Sequence, residues 1–148
     1  MDNVIKNFKN ISYGPAPEDS KEVFKWIENL KKPNYLFING KFTKSLSSKK
    51  IDIIDPSTNK KLSKLSIASK KDVNLAVISA KKAHKKWSKI RSFDRSKYLY
   101  ALARLIQKNS RFLSVLETID NGKTIRETRD IDIPLVARHF YYHAGWAA

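Results

Sequence analysis

Apolar positions along the chain change period twice, from helical to alternating near residue 35 and back to helical at residue 69. In the first helical stretch, Val23, Trp26, Ile27 and Leu30 recur at three- and four-residue spacing, so they share one face of a short helix that Ser20 can cap and Pro33 ends. Ahead of it, Gly14-Pro15-Ala16-Pro17 reads as a turn or extended linker. This stretch has no core of its own and is expected to pack on something outside itself.

Residues 35–68 carry strand chemistry. Tyr35-Leu36-Phe37-Ile38 is rich in β-formers, Asn39-Gly40 tolerates positive φ at both positions, and Lys41-Phe42-Thr43 returns, the pattern of a hairpin. Ile51 and Ile53 then alternate with Asp52, residues 55–59 (DPSTN) form a turn, and Leu65 and Ile67 alternate with Lys64 and Ser66. The expectation is a small antiparallel module, marginal by itself because two-stranded ribbons bury little.

From Ser69 onward the period is helical. Ser69 and Asp72 have capping-box spacing, and Val73, Ala76, Val77, Ala80, Ala83 and Trp87 form one apolar stripe opposite Lys81, Lys82, Lys85 and Lys86. A second helix is expected after Ser92, with Asp94 in its first turn and Leu99, Leu102, Leu105 and Ile106 turned inward. A third begins near Ser110, aligns Phe112, Val115, Leu116 and Ile119, and stops at Asn121-Gly122. The last begins near Asp132, holds Pro134 in its first turn, and carries Phe140, Tyr141, Tyr142 and Trp146. No cap follows Trp146-Ala147-Ala148, and nothing remains to cover those aromatics, so a segment of a longer domain is expected.

Composition narrows the chemistry. With 41% hydrophobic and 11% aromatic residues the chain is globular, not disordered. No apolar run is long enough to span a bilayer, and the start MDNVIKNFKN has neither an apolar signal core nor an Arg-rich targeting pattern, so the expected compartment is the cytoplasm. There is no cysteine, which excludes disulfides, thiolate metal ligands and a cysteine nucleophile within this chain. The net charge of +16 would suit a nucleic-acid or anionic-surface binder acting through residues 81–89. Against that, 23 of the 30 cations are Lys and only 7 are Arg, and the Lys are spread over the whole chain, which favours a Lys-rich surface over a reader that relies on Arg forks.

Sites built from spacing alone are few. Four glycines, at 14, 40, 122 and 145, cannot make a GxGxxG or Walker-type phosphate loop. His139 and His143 share a helical face as two zinc ligands could, but no HExxH glutamate accompanies them, and a packed, hydrogen-bonded pair is the simpler reading. Glu117, Asp120, Glu127, Asp130 and Asp132 surround Asn121-Gly122 and could hold a hard cation or act as acid and base. Lys123, Arg126 and Arg129 lie among them at helical spacing, so a surface ion network accounts for most of that pattern.

Four blocks in order carry a family resemblance: FINGKF, IDIIDPSTNK, KKDVNLAVISAKKAHKKWSK and DRSKYLYALARLIQKNSRFLSVLETIDNGKTIRET. They resemble the first third of the aldehyde dehydrogenase superfamily, whose members show an ING hairpin, an NPATGE-like turn, two patterned helices and an ETLDNGKP stretch. Asp55-Pro56 replaces the usual Asn-Pro, and Thr124 stands where Pro is common, without disturbing the register. SYGPAPED near the start and RDIDIPLVARHFYYHAGWA at the finish are similar to the first unit of long, tandem-type bacterial members.

The resemblance implies an α/β fold in two parts: residues 1–34 as an extension with a short helix, and residues 35–148 as the N-terminal part of an aldehyde dehydrogenase domain. In the second part helices flank a Rossmann-like NAD(P)-binding sheet, and a small antiparallel β module of the kind that serves oligomerisation in relatives precedes them. It further implies oxidation of an aldehyde to an acid with NAD or NADP through a cysteine thiohemiacetal, in a homo-oligomer. The cysteine, glutamate, oxyanion asparagine and cofactor loop of the family lie downstream of the matching segment, so no catalytic or cofactor-binding residue is assigned, and this chain alone is expected to be inactive and to fold poorly alone. One family site falls inside it. A monovalent cation is held there by a backbone carbonyl before the NPATGE-like turn and by the aspartate of ETLDNGK, positions that match Ile54 and Asp120.

Overall fold

The structure, a computed structural model, describes residue 6, residues 18–29 and residues 36–148. The linker 14–17 and the contributions of Leu30, Pro33 and Tyr35 lie outside those residues. Helix α1 (Lys21–Asn29) buries Val23 and Ile27. Its start differs from the expected Ser20 side-chain cap: the Ser20 carbonyl accepts the first helical bond from Phe24 N, while the side chain that takes up an orphan donor is Asp19, which accepts from Lys21 N at 2.9 Å.

The strand region forms two separate antiparallel ribbons. Strands β1 (Leu36–Ile38) and β2 (Lys41–Thr43) are joined by Asn39 and Gly40 at φ of 54° and 72°, the left-handed pair that matches the twist of a tight hairpin. Strands β3 (Lys50–Asp55) and β4 (Lys60–Ser66) pair from Lys50↔Ser66 to Asp55↔Lys60, with a bulge at Ile53/Ile54. The bulge puts Ile53 and Ile54 out of the simple alternation that the sequence displays.

Helix α2 (Lys70–Trp87) opens with the expected capping box. Ser69 Oγ accepts from Asp72 N at 3.2 Å, and Ser69 N donates to Asp72 Oδ2 at 2.8 Å. The expected apolar stripe forms but is not covered; Asp72 is the one buried residue of the helix, and Val73, Val77 and Trp87 are exposed.

Helices α3 (Ser92–Lys108) and α4 (Ser110–Asn121) are separated only by Asn109. Gly122, at φ 79°, supplies the left-handed stop of α4 and donates to the Thr118 carbonyl at 3.0 Å. Between α4 and the last helix the sequence pattern predicts nothing, yet a single turn, α5 (Ile125–Glu127), capped by Thr124, continues into a wide π-type turn (Thr128–Asp132) before α6 (Ile133–Ala147). Thr128 explains the wide turn. It is fully buried, its hydroxyl lies 2.9 Å from that of Thr118, and its carbonyl accepts from Ile133 N, five residues on.

Helix α6 runs antiparallel along α3, with Tyr100 against Tyr141 at 5.6 Å and Ser92 Oγ donating to the Ala148 carbonyl at 3.0 Å. The seam is made of small residues: Ser96 and Ala103 from α3, Ala137 and Ala144 from α6, all buried. The expected inward turn of Leu102 and Leu105 is therefore corrected, since both are exposed. Large side chains on that seam would hold the two backbones apart. The other buried cluster joins α1 to α4, with Val23, Ile27 and Val115 at its centre and Phe112, Leu116, Ile119 and Ile125 packed around it. Trp26 meets Phe112 edge to face at 5.5 Å.

No parallel sheet is present among the described residues; the architecture is mixed helices with antiparallel strand pairs. None of the described helices is long and apolar enough to cross a membrane.

Candidate cation site

Asp120 sits in the last turn of α4, where the apolar face that carries Leu116 and Ile119 meets the polar run of residues 120–123. Ile54 follows the bulge of β3, one residue before the turn into β4. The fold brings these two stretches together: α4 packs on β3, and the Gly122 cap abuts the turn so closely that a Cβ on Gly122 would lie 2.9 Å from Pro56 Cγ. Ile53 and Asp120 line one cavity of about 200 Å³, whose apolar walls include Trp26, Ile27, Leu65, Leu116 and Ile119.

The turn beside the site is rigidly made. Asp55 is buried and accepts from Ser57 N at 2.8 Å, Ser57 Oγ at 2.7 Å and Thr58 Oγ1 at 2.8 Å. Those donors, the Ser57 hydroxyl foremost and then that of Thr58, hold its carboxyl below the usual aspartate value. Both Asp55 oxygens are engaged in shaping the turn that presents the Ile54–Asp55 backbone. Asn59, at φ 55°, closes the turn with a 2.8 Å bond from its N–H to the Asp55 carbonyl.

Around Asp120 the expected ion network forms only in part: among the described residues Glu117, Arg126, Glu127 and Asp120 enter no ion pair. Lys123 Nζ pairs with Asp132 at 2.7 Å, Arg129 pairs with Asp130 at 2.7 Å, and Arg129 also reaches back 111 residues to Glu18 at 3.1 Å. Hydrogen bonds to the side chains of Asp130 and Glu18 raise the pKa of the Arg129 guanidinium further. Asn121 Nδ2 donates to Glu117, and Asn121 Oδ1 accepts from Lys123 N. Among the described residues, the Asp120 carboxylate enters none of these ion pairs or side-chain hydrogen bonds. It is an exposed carboxylate in the last turn of α4, on the side that faces the β3–β4 turn. The Arg129–Glu18 pair left no trace in the sequence, because its partners come from separate elements with no shared period.

The histidines show no comparable arrangement. His139 and His143 are exposed on α6, and His143 stands edge-on to Tyr142 at 5.3 Å. Among the described residues, no group of three or more His, Cys, Asp or Glu side chains converges as a metal site would require. The glycines are equally committed: Gly40 turns a hairpin, Gly122 ends a helix and Gly145 lies inside α6, so none of these three belongs to a phosphate-cradling loop.

The sequence model of the aldehyde dehydrogenase family matches residues 42–148. An aldehyde dehydrogenase of Alternaria alternata is 37% identical over 119 residues, covering 80% of this chain and 24% of the fungal protein. Among solved structures, HpcC of Thermus thermophilus superposes with a TM-score of 0.78 at 28% identity, over 88% of this chain and 25% of that one. The betaine aldehyde dehydrogenase of Staphylococcus aureus, solved in complex with NAD+, gives a TM-score of 0.77 at 28% identity, over 86% and 25% of the respective chains. The chain thus spans about a quarter of the length of these relatives.

Proposed function

Since the chain belongs to the aldehyde dehydrogenase family, we propose that it forms the N-terminal part of an NAD(P)-dependent enzyme that oxidises an aldehyde to a carboxylic acid. The observation that carries this reading is that the family's sequence model matches residues 42–148 while solved relatives superpose on most of the chain. The NAD+ bound to the Staphylococcus relative supports the cofactor class. NAD(P)+, when bound, would supply the hydride acceptor. The described residues offer that cofactor no phosphate cradle.

Within such an enzyme residues 1–34 serve as an extension and residues 35–148 as scaffold. In this role Asp120 and the carbonyl of Ile54 hold a monovalent cation that ties α4 to the β3–β4 turn. The β1–β2 hairpin, with Phe37 and Phe42 exposed and set edge to face at 5.1 Å, is suited to a contact between subunits of a homo-oligomer. The isolated 148-residue chain is inactive, because it has no cysteine to supply the thiolate that attacks the carbonyl. The activity test is aldehyde-dependent reduction of NAD+ or NADP+ followed at the nicotinamide absorbance. The reading requires turnover in the protein from its source that bears this sequence, and none in the isolated chain; the reverse pattern would overturn it.

The cation assignment has its own test. At matched ionic strength, K+ or Na+ at about ten times Kd should raise the melting temperature by about 3–6 °C over choline, and Asp120→Asn should remove the difference. A shift that survives Asp120→Asn places the cation elsewhere.

A further inference from the structure

The β1–β2 hairpin leans on the N-terminal half of α2, and the two enclose a cleft of about 480 Å³. Two polar ties hold its sides. Ser79 Oγ donates to Asn39 Oδ1 at 3.3 Å, and Asp72 accepts from Leu46 N at 3.1 Å and from Ser45 Oγ at 3.0 Å. The floor consists of Ile38, Leu46, Leu75 and Ile78. Leu46, Leu75 and Ile78 are 64%, 52% and 62% exposed, so three large apolar side chains stand open to solvent inside one concavity. Singly exposed leucines are ordinary on protein surfaces, whereas a contiguous apolar concavity is a binding feature.

The rim carries Lys41, Lys44 and Lys82, and none of them enters the ion pairs found among the described residues. Among those residues, Asp72 is the only acid lining the cleft. It is buried and its oxygens are occupied by Ser69, Ser45 and Leu46, so it forms no ion pair with the rim lysines and its single charge offsets only part of theirs. The cleft therefore pairs an apolar floor with three cations against one carboxylate, a net positive lining. We propose that it binds an amphipathic monoanion, a medium-chain carboxylate whose chain lies on Leu46, Leu75 and Ile78 while its head group sits among Lys41, Lys44 and Lys82. Head-group sign is selected by the lysines and chain length by the floor. The volume falls within the range of small-molecule sites, about 300–1,000 Å³. This inference does not depend on the enzymatic reading.

The test is calorimetric titration of the full chain with decanoate, compared with decanol and decyltrimethylammonium. Decanoate should bind saturably at one site, decanol about tenfold more weakly, and the ammonium not measurably. Shortening the acid from ten to eight carbons should weaken binding by about tenfold, as expected for two methylenes leaving an apolar floor. Lys82→Gln should cost about two- to fivefold, and Ile78→Asp should abolish binding. Both positions are solvent-exposed, so an unchanged circular dichroism spectrum is expected for both variants. Equal affinity for decanol and decanoate, unsaturable uptake, or full binding by Ile78→Asp would each refute the proposal. So would a lysine-dependent preference for an acidic peptide or nucleic acid with no binding of decanoate.

Discussion

Helices α2 and α6 are both long, both amphipathic in sequence, and opposite in fate. Helix α6 buries Ile133, Ala137 and Ala144, while α2 buries only Asp72, although its apolar stripe is the cleaner of the two. The difference lies in what each helix meets. Along α6 the small residues of α3 allow close approach, and Ser96 and Ala103 face Ala137 and Ala144 across one continuous seam. Along α2 the described chain supplies a short hairpin and a few polar ties, and no surface wide enough to cover Val73, Val77 and Trp87. Amphipathicity decides that a helix forms and which side is apolar; burial needs a partner of matching shape.

This contrast can be broken most forcefully at the seam. Ala144→Leu should destabilise the chain by about 2–3 kcal/mol or more, because a branched side chain has no room where the helices touch. Urea unfolding measures it, and a loss under about 0.5 kcal/mol would show that the seam is loose. Next comes the joint between α4 and the β3–β4 turn. Gly122→Ala combines a left-handed φ with a 2.9 Å approach to Pro56, so it should cost about 1–2 kcal/mol, read in the same titration.

Acid should act on both regions, through carboxylates held below their ordinary values. Hydrogen bonds from Lys61 lower Asp52, those from Ser57 and Thr58 lower Asp55, those from Lys97 and Arg91 lower Asp94, and those from Arg129 lower Asp130. For Asp72, burial pushes the carboxyl up, but bonds from Ser69, Ser45 and Leu46 together outweigh it. A carboxylate with a folded pKa below its unfolded value of about 3.9 stabilises the fold above that value and loses its contribution as pH falls through the folded pKa. These groups therefore leave stability level from pH 5 to 8 and reduce it below about pH 4, which urea midpoints at pH 7, 4 and 3 would reveal. The smallest effect belongs to α2. Val77→Ala in this chain should change stability by less than about 0.5 kcal/mol, since Val77 is 47% exposed and packs on nothing that closes over it, and a loss as large as that of Ala144→Leu would erase the distinction.

The elements around the candidate site are legible in the sequence, and the side-chain contacts between them are not. Asp120 and Ile54 stand out only through a family resemblance, because a carbonyl oxygen and a single carboxylate have no spacing signature of their own. What the sequence could not convey is that the ion network of residues 117–132 leaves Asp120 out, or that Arg129 closes on Glu18. Those outcomes depend on which side chains converge after packing, and the choice between Asp130, Asp132 and Glu18 is invisible to one-dimensional spacing. The wide turn at Thr128 was missed for the same reason, since its cause is a buried hydroxyl contact with Thr118, ten residues earlier.

Local chemistry determined the elements. The Asn39-Gly40 hairpin, the Ser69–Asp72 capping box, the Gly122 stop and Pro134 in the first turn of α6 all follow from short-range sterics and hydrogen bonding, and each appears where the sequence puts it. The absence of cysteine likewise settled from the sequence alone that this chain carries no thiol nucleophile. Tertiary structure alone decided which apolar faces are covered, that alanines and not leucines form the α3–α6 seam, and that Gly122 lies against Pro56. The physical reason is that hydrophobic periodicity encodes the direction of a face, whereas burial depends on the distance and shape of whatever that face meets.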